Sequence, residues 1–217
     1  MKLSVAYPFI PYPRMARQAY QLLTSFYKIP LEQIPLPIDV DAIIQSLGYG
    51  LEFGNMKQYG YDDTLGFISF EKNEVWVDTT LDPIENPEME GRFNHTIAHE
   101  TGHHILHKPL VEAYNMQRKL FESPEVGILC RTSEEREPQE KQADYFASAL
   151  LMPEGHVRKY FQQVMADLGL ACEDRNFEYA VSKAMMEIFK VSRQSMLIRL
   201  NELKMFHNLQ SNQLILT

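Results

Sequence analysis

Cysteine is scarce in this chain: Cys130 and Cys172 are the only two among 217 residues. Two thiols cannot build a disulfide-stapled domain, and they suit a reducing compartment. No apolar stretch approaches the roughly 20 residues that a membrane-spanning helix requires. The first residues hold one lysine and a short apolar run broken by Pro8, Pro11 and Pro13, which is not the pattern of a signal peptide. The expected location is therefore cytoplasmic, without a membrane partner, and a secreted digestive enzyme is a poor fit. Basic residues are in the minority, 21 against 29 acidic ones, for a net charge of −8. That balance argues against broad, charge-driven binding to nucleic acid. Internal repeats and low-complexity stretches are also missing.

What is present is an ordinary soluble composition, 45% hydrophobic and 23% charged. The chain is long enough for a full core, in one domain with small appendages. Within it stands His99-Glu100-Thr101-Gly102-His103, an H-E-x-x-H motif inside a run from Arg92 to His107 that reads as helical. Residues four apart on a helix share a face, so His99 and His103 aim two imidazoles at one point. Glu100 lies about 100° further round, beside that point. Zinc-assisted hydrolysis needs a held cation and a base for its water, which this pattern supplies. Phe93, Ile97, Thr101 and Ile105 form a row spaced by four that can enter the core. Gly102 costs a helix about 1 kcal/mol against Ala, which suggests that a backbone or ligand passes close. His95, His104 and His107 are not assigned as ligands. His107 is expected near the helix C-terminus, where it favours the dipole.

Gln139 to Leu151 predicts a second helix, with Ala143, Phe146, Ala147, Leu150 and Leu151 on its apolar stripe. Pro153 ends it and opens a third helix over 153–168. Glu140 and Asp144 are four apart and share a face. A catalytic zinc takes three protein ligands and a water. Glu140 is the candidate third ligand. Asp144, one turn on, is the candidate partner for the outer nitrogen of a zinc-binding His, where it would fix tautomer and ring orientation.

Elsewhere, residues 14–28 show helical spacing at Ala16, Tyr20, Leu23 and Tyr27. Asp39 or Asp41 caps a short helix holding Val40, Ile43, Ile44 and Leu47, which stops at Gly48. Gly50 to Phe53 reads as a strand. Leu65–Phe70 and Glu74–Asp78 read as a hairpin turning through Glu71, Lys72 and Asn73, with Val75 and Val77 on one face and Trp76 on the other. The strand Glu74–Asp78 is a candidate sheet edge for pairing with extended substrate. Residues 108–135 have no clean period. Helices are expected over 177–189 and 193–205, joined by the helix-turn-helix-like turn Phe189-Lys190-Val191-Ser192. Lys183, Lys190, Arg193, Arg199 and Lys204 stand there against Glu187 and Glu202, a local basic surplus.

The run Arg92 to His107 resembles the H-E-x-G-H helix of the ImmA/IrrE family of bacterial and phage metallopeptidases. Glu140-Lys-Gln-Ala-Asp-Tyr-Phe-Ala-Ser-Ala-Leu-Leu-Met-Pro153 is similar to that family's second signature, E-x-x-A-N/D-x-F-A-x-x-L-L-M-P. Pro37-Ile38-Asp39-Val40 resembles the usual start of the conserved region. The resemblance implies an α+β fold. Its zincin-like core has a small, mostly antiparallel sheet, the H-E-x-x-H helix and a second ligand helix, followed by a helix-turn-helix-like C-terminal part. The expected division is an N-terminal helical arm and Pro-rich connector (1–35), a metallopeptidase core (36–170) and a C-terminal helical subdomain (171–217). The resemblance further implies one Zn2+ per chain held by His99, His103 and Glu140, with Glu100 as the catalytic base. The implied substrate is a protein, often a helix-turn-helix repressor, whose cleavage switches on a stress, phage-defence or mobile-element response.

Two alternatives stand beside this reading. In one, zinc merely ties two helices together in a non-catalytic binding module, which would need a fourth ligand such as Cys130. In the other, residues 177–205 serve a DNA-binding regulator; DNA as an activating ligand is a related option. Cys130 is also a candidate regulatory ligand, whose thiolate would enter the open zinc position and hold the enzyme inactive.

Overall fold

The computed structural model describes residues 7–59, 64–119, 128–129, 138–169 and 176–207. Helix α1 (Tyr12–Tyr27) begins with Pro13 in its first turn, where a missing N–H costs nothing. It ends at Lys28 in the left-handed conformation (φ 56°). Its buried stripe is Met15, Ala19 and Leu23, one position round from the expected one, with Ala16 and Tyr20 on its flank. Helix α2 (Val40–Ser46) is capped by Asp39, whose carboxylate accepts from the Ala42 N–H at 2.9 Å.

Four short strands follow the pattern of β-branched and aromatic residues: β1 (Gly50–Gly54), β2 (Gly66–Ser69), β3 (Glu74–Asp78) and β4 (Ile128–Leu129), in the order β1-β3-β2-β4. β2 and β3 form the expected antiparallel hairpin, Ile68 opposite Val75. β1 joins the other side of β3 in parallel, Leu51 opposite Val75. β4 pairs antiparallel with β2. β3 is therefore an interior strand with both sides occupied, and the expectation that it offers an edge to substrate is overturned. Ile68, Val75 and Val77 are fully buried, and α3 crosses the face of β2 and β3.

Helix α3 (Glu90–Lys119) carries the H-E-x-x-H motif and runs well past His107, with Pro109 inside it. Helix α4 (Pro138–Leu151) lies between α3 and α1 and is buried along most of its length. Close-packed small residues permit this: Ala143, Ala147 and Ala149 are fully buried among Phe146, Leu150 and Leu151. Pro153 then sits just before α5 (Glu154–Leu168) as its N-cap.

Helices α6 (Phe177–Phe189) and α7 (Arg193–Glu202) are joined by Lys190 at φ 51°, buried Val191, and Ser192, which caps α7 by accepting from the Ser195 N–H at 3.0 Å. This turn is seated on the first turn of α3. Asn94 donates to the Lys190 carbonyl at 2.9 Å, and Lys190 pairs with Glu90 at 3.2 Å. A Cβ on Gly91 would stand 2.5 Å from the Ser192 nitrogen, so only glycine fits there. One hydrophobic cluster runs from Met15 through the sheet, α3 and α4 to Phe206. Among the described residues no helix is long and apolar enough to cross a membrane.

Candidate metal centre

The 3.6-residue turn of α3 stacks His99 over His103, ring centroids 4.7 Å apart, with their Nε2 atoms 3.0 Å from each other. Helix α4 brings Glu140 to the same point. Its Oε2 lies 3.2 Å from His99 Nε2, and its Oε1 lies 3.5 Å from His103 Nε2. All three side chains are buried, and together they form a group able to hold a metal ion. Asp144, one turn along α4, accepts from His99 Nδ1 at 2.9 Å. That contact places the His99 ring proton on Nδ1 and leaves Nε2 as a bare lone pair. The lone pair faces a carboxylate oxygen, so acceptor meets acceptor and a positive species is required between them.

Electrostatics point the same way. Burial opposes ionisation of Glu140, but the two imidazoles at its oxygens outweigh that and hold its carboxyl below the usual range. Burial pushes His103 down to about 4, against the pull of Glu140, so the His103 imidazolium is not the favoured cation at neutral pH. Zinc held tetrahedrally at about 2.0–2.2 Å spreads its donor atoms about 3.3–3.6 Å apart. The observed separations of 3.0, 3.2 and 3.5 Å lie within about 0.3 Å of that spread. Two imidazoles and one carboxylate also match the donor set of an open, catalytic site.

Glu100 is completely buried, with neither carboxylate oxygen hydrogen-bonded among the described residues. Burial pushes its carboxyl up to about 8, with His99 opposing and Glu140 adding to the rise. Gly66 on β2 makes room for it. A Cβ there would lie 3.1 Å from Glu100 Oε1 and 2.4 Å from Thr96 Cγ2. A cavity of about 380 Å3 reaches the outer side of Asp144 and is also lined by Tyr12, His95, Lys141 and Ser148.

His107, Gln142 and Pro8 were not assigned to the site from sequence. His107 sits mid-helix rather than at a C-terminus. It is fully buried, with its Nδ1 2.9 Å from His103 Nδ1 and its Nε2 2.9 Å from Gln142 Oε1. Its i+4 spacing from His103 was a visible signal. The link to Gln142 and Pro8 depends on tertiary packing and was not. Cys130 lies outside the described residues. The basic surplus of the C-terminal helices is partly committed internally. Arg199 is 1% exposed and donates to the Met152 carbonyl at 3.1 Å, while Lys190 pairs with Glu90. Arg199 is thus unavailable to a nucleic-acid backbone.

An α+β architecture with a buried two-histidine, one-glutamate group across an H-E-x-x-H helix fits a zincin-like core. The model of the Peptidase_M78 family, described as the IrrE N-terminal-like domain, matches residues 84–201, and the chain belongs to that family. No curated protein matches the chain. Among solved structures, a Mycobacterium tuberculosis transcriptional regulator is similar at 12% identity and a TM-score of 0.45, over 86% of this chain and 51% of that one. The chain thus spans about half the length of that protein.

Proposed function

We propose that this protein is a zinc-dependent endopeptidase that cuts a regulatory protein site-specifically. The observation that carries the reading is the pairing of a three-donor centre with a carboxylate, Glu100, whose two oxygens have no hydrogen-bond partner among the described residues. His99, His103 and Glu140 would hold the ion. When bound, zinc supplies Lewis acidity that activates water and polarises a peptide carbonyl. Glu100 accepts a proton from the attacking water at a carboxylate oxygen and passes it to the leaving amine nitrogen. Its burial suits that shuttle, because a carboxyl raised toward neutrality both takes and returns a proton readily, and a neighbouring cation tempers the rise. Asp144 keeps His99 in the tautomer and orientation its ligand role requires.

The substrate reading rests on the family resemblance. It is a helix-turn-helix repressor whose cleavage in the cytoplasm releases a stress, phage-defence or mobile-element response. The test is co-expression with candidate repressors, a neighbouring gene's product first, comparing wild type with Glu100→Gln. Cleavage by wild type and none by the variant, with equal zinc content, is the expected result. Full cleavage by Glu100→Gln would overturn the mechanism.

A further inference from the structure

The buried face of α3 continues one turn beyond the metal ligands, and its chemistry is directional. The Gln142 side-chain nitrogen lies 2.8 Å from the carbonyl oxygen of Pro8. A carbonyl only accepts, so the amide must turn its NH2 toward Pro8 and its oxygen toward His107. That oxygen is 2.9 Å from His107 Nε2, which must therefore carry the ring proton. A neutral imidazole has one N–H, so His107 Nδ1 is an acceptor. It lies 2.9 Å from His103 Nδ1, which is then the donor. His103 Nε2 is left as a bare lone pair aimed at His99 and Glu140.

We propose that His107 and Gln142 are positioning residues that, anchored on the Pro8 carbonyl, fix the tautomer of His103 in which Nε2 is free to bind metal. The inference rests on the metal-centre reading above and extends it to the N-terminal segment. His99 and His103 are thus set by different devices: the first by the Asp144 carboxylate, the second by a neutral relay across α3, α4 and the residues before α1. The relay is sequestered. His107 is fully buried, Gln142 nearly so, and the Tyr7 ring covers His107 edge-on at 5.2 Å. Water is therefore poorly placed to replace a lost partner. Without the Gln142 oxygen, His107 is free to move its proton to Nδ1. His103 would then be driven to protonate Nε2, the atom the metal needs.

The test is zinc affinity of the full chain by chelator competition, together with 15N NMR of the histidine rings in the zinc-free wild type. Gln142→Leu and His107→Phe are expected to bind zinc 10- to 100-fold more weakly, the range typical of lost outer partners. Gln142→Glu is expected to stay within about threefold of wild type, because a neutral carboxyl donates its O–H to the Pro8 carbonyl while its other oxygen accepts from His107 Nε2. The NMR spectrum should show His107 protonated on Nε2 and His103 on Nδ1. A wild-type His107 protonated on Nδ1, or a Gln142→Leu variant that binds zinc like wild type, overturns the relay. The wild-type spectrum decides the question even if a variant does not fold. A wild type that binds no zinc but shows these tautomers refutes the metal-centre reading and leaves the relay standing.

Discussion

Gly102 on α3 faces Ala143 on α4 so closely that a Cβ built on the glycine would stand 3.1 Å from the Ala143 Cα and 3.2 Å from its carbonyl oxygen. The two helices that carry the candidate metal donors meet at this point. A methyl group here would act as a spacer on the donor geometry.

Gly102→Ala should therefore weaken zinc binding although it favours the helix locally. The propensity gain is about 1 kcal/mol, and overpacking costs about 1–3 kcal/mol. A net loss of roughly 1 kcal/mol in urea unfolding is expected, with reduced affinity in chelator competition. Unchanged affinity would show that the helices yield without moving Glu140.

Asp144 and its neighbour His99 give a sharper chemical test. Asp144→Ala removes the acceptor at His99 Nδ1 and should lower zinc affinity by about 10- to 100-fold. Asp144→Asn still presents an oxygen and should remain close to wild type. Equal behaviour of the two variants would mean that charge, not ring orientation, is what Asp144 contributes.

Gly66 shapes the space around Glu100. Gly66→Ala would push on Glu100 Oε1 and on the Thr96 methyl. A displacement on the order of 1 Å at a reacting group costs about a hundredfold in rate, so kcat should fall while zinc content stays constant. Adding Thr96→Ser removes the methyl clash and should restore thermal stability without restoring kcat. Joint recovery of both would place the defect in folding instead.

Asp78 provides a pH-dependent element away from the metal. Burial alone would raise its carboxyl. Instead the Thr80 hydroxyl and N–H, at 2.6 and 3.0 Å, and the Met56 N–H, at 3.0 Å, hold it below the usual range. A carboxyl depressed on folding contributes stability above its unfolded pKa of about 3.9 and loses it as pH falls through the folded value. Asp78→Ala should cost about 1–3 kcal/mol at pH 7, and the difference from wild type should shrink below about pH 4. Denaturant titrations at pH 7 and pH 3 would check this; a constant difference would refute it.

The parts of the fold that local chemistry controls were legible in the sequence. Four-residue spacing placed His99 with His103 and Glu140 with Asp144. The Asp39 and Ser192 caps and the Glu71-Lys72-Asn73 turn lie where their side chains and backbone preferences put them, with Asn73 at φ 54°. Gly102 signalled a close approach, and the approaching backbone is that of Ala143. The misses are non-local. Nothing in Gly50–Gly54 announces that it pairs in parallel with β3, and that pairing removes the free edge. The run Arg92 to His107 reads as the whole helix, yet α3 continues through Pro109 to Lys119. His107 reads as a terminal residue until the helix is extended, and its partners are contributed by α4 and by residues before α1.

The isolation of Glu100 also affects how this protein can be studied. A carboxylate buried with no hydrogen-bond partner among the described residues is a local cost that the fold carries. Replacing it with an isosteric amide removes the charge while preserving shape, so the inactivated chain should lose none of the architecture that surrounds the cleft. On the proposed function, a form that holds its target without cutting it is thus available one substitution away from the native protein, as bait for a protein substrate.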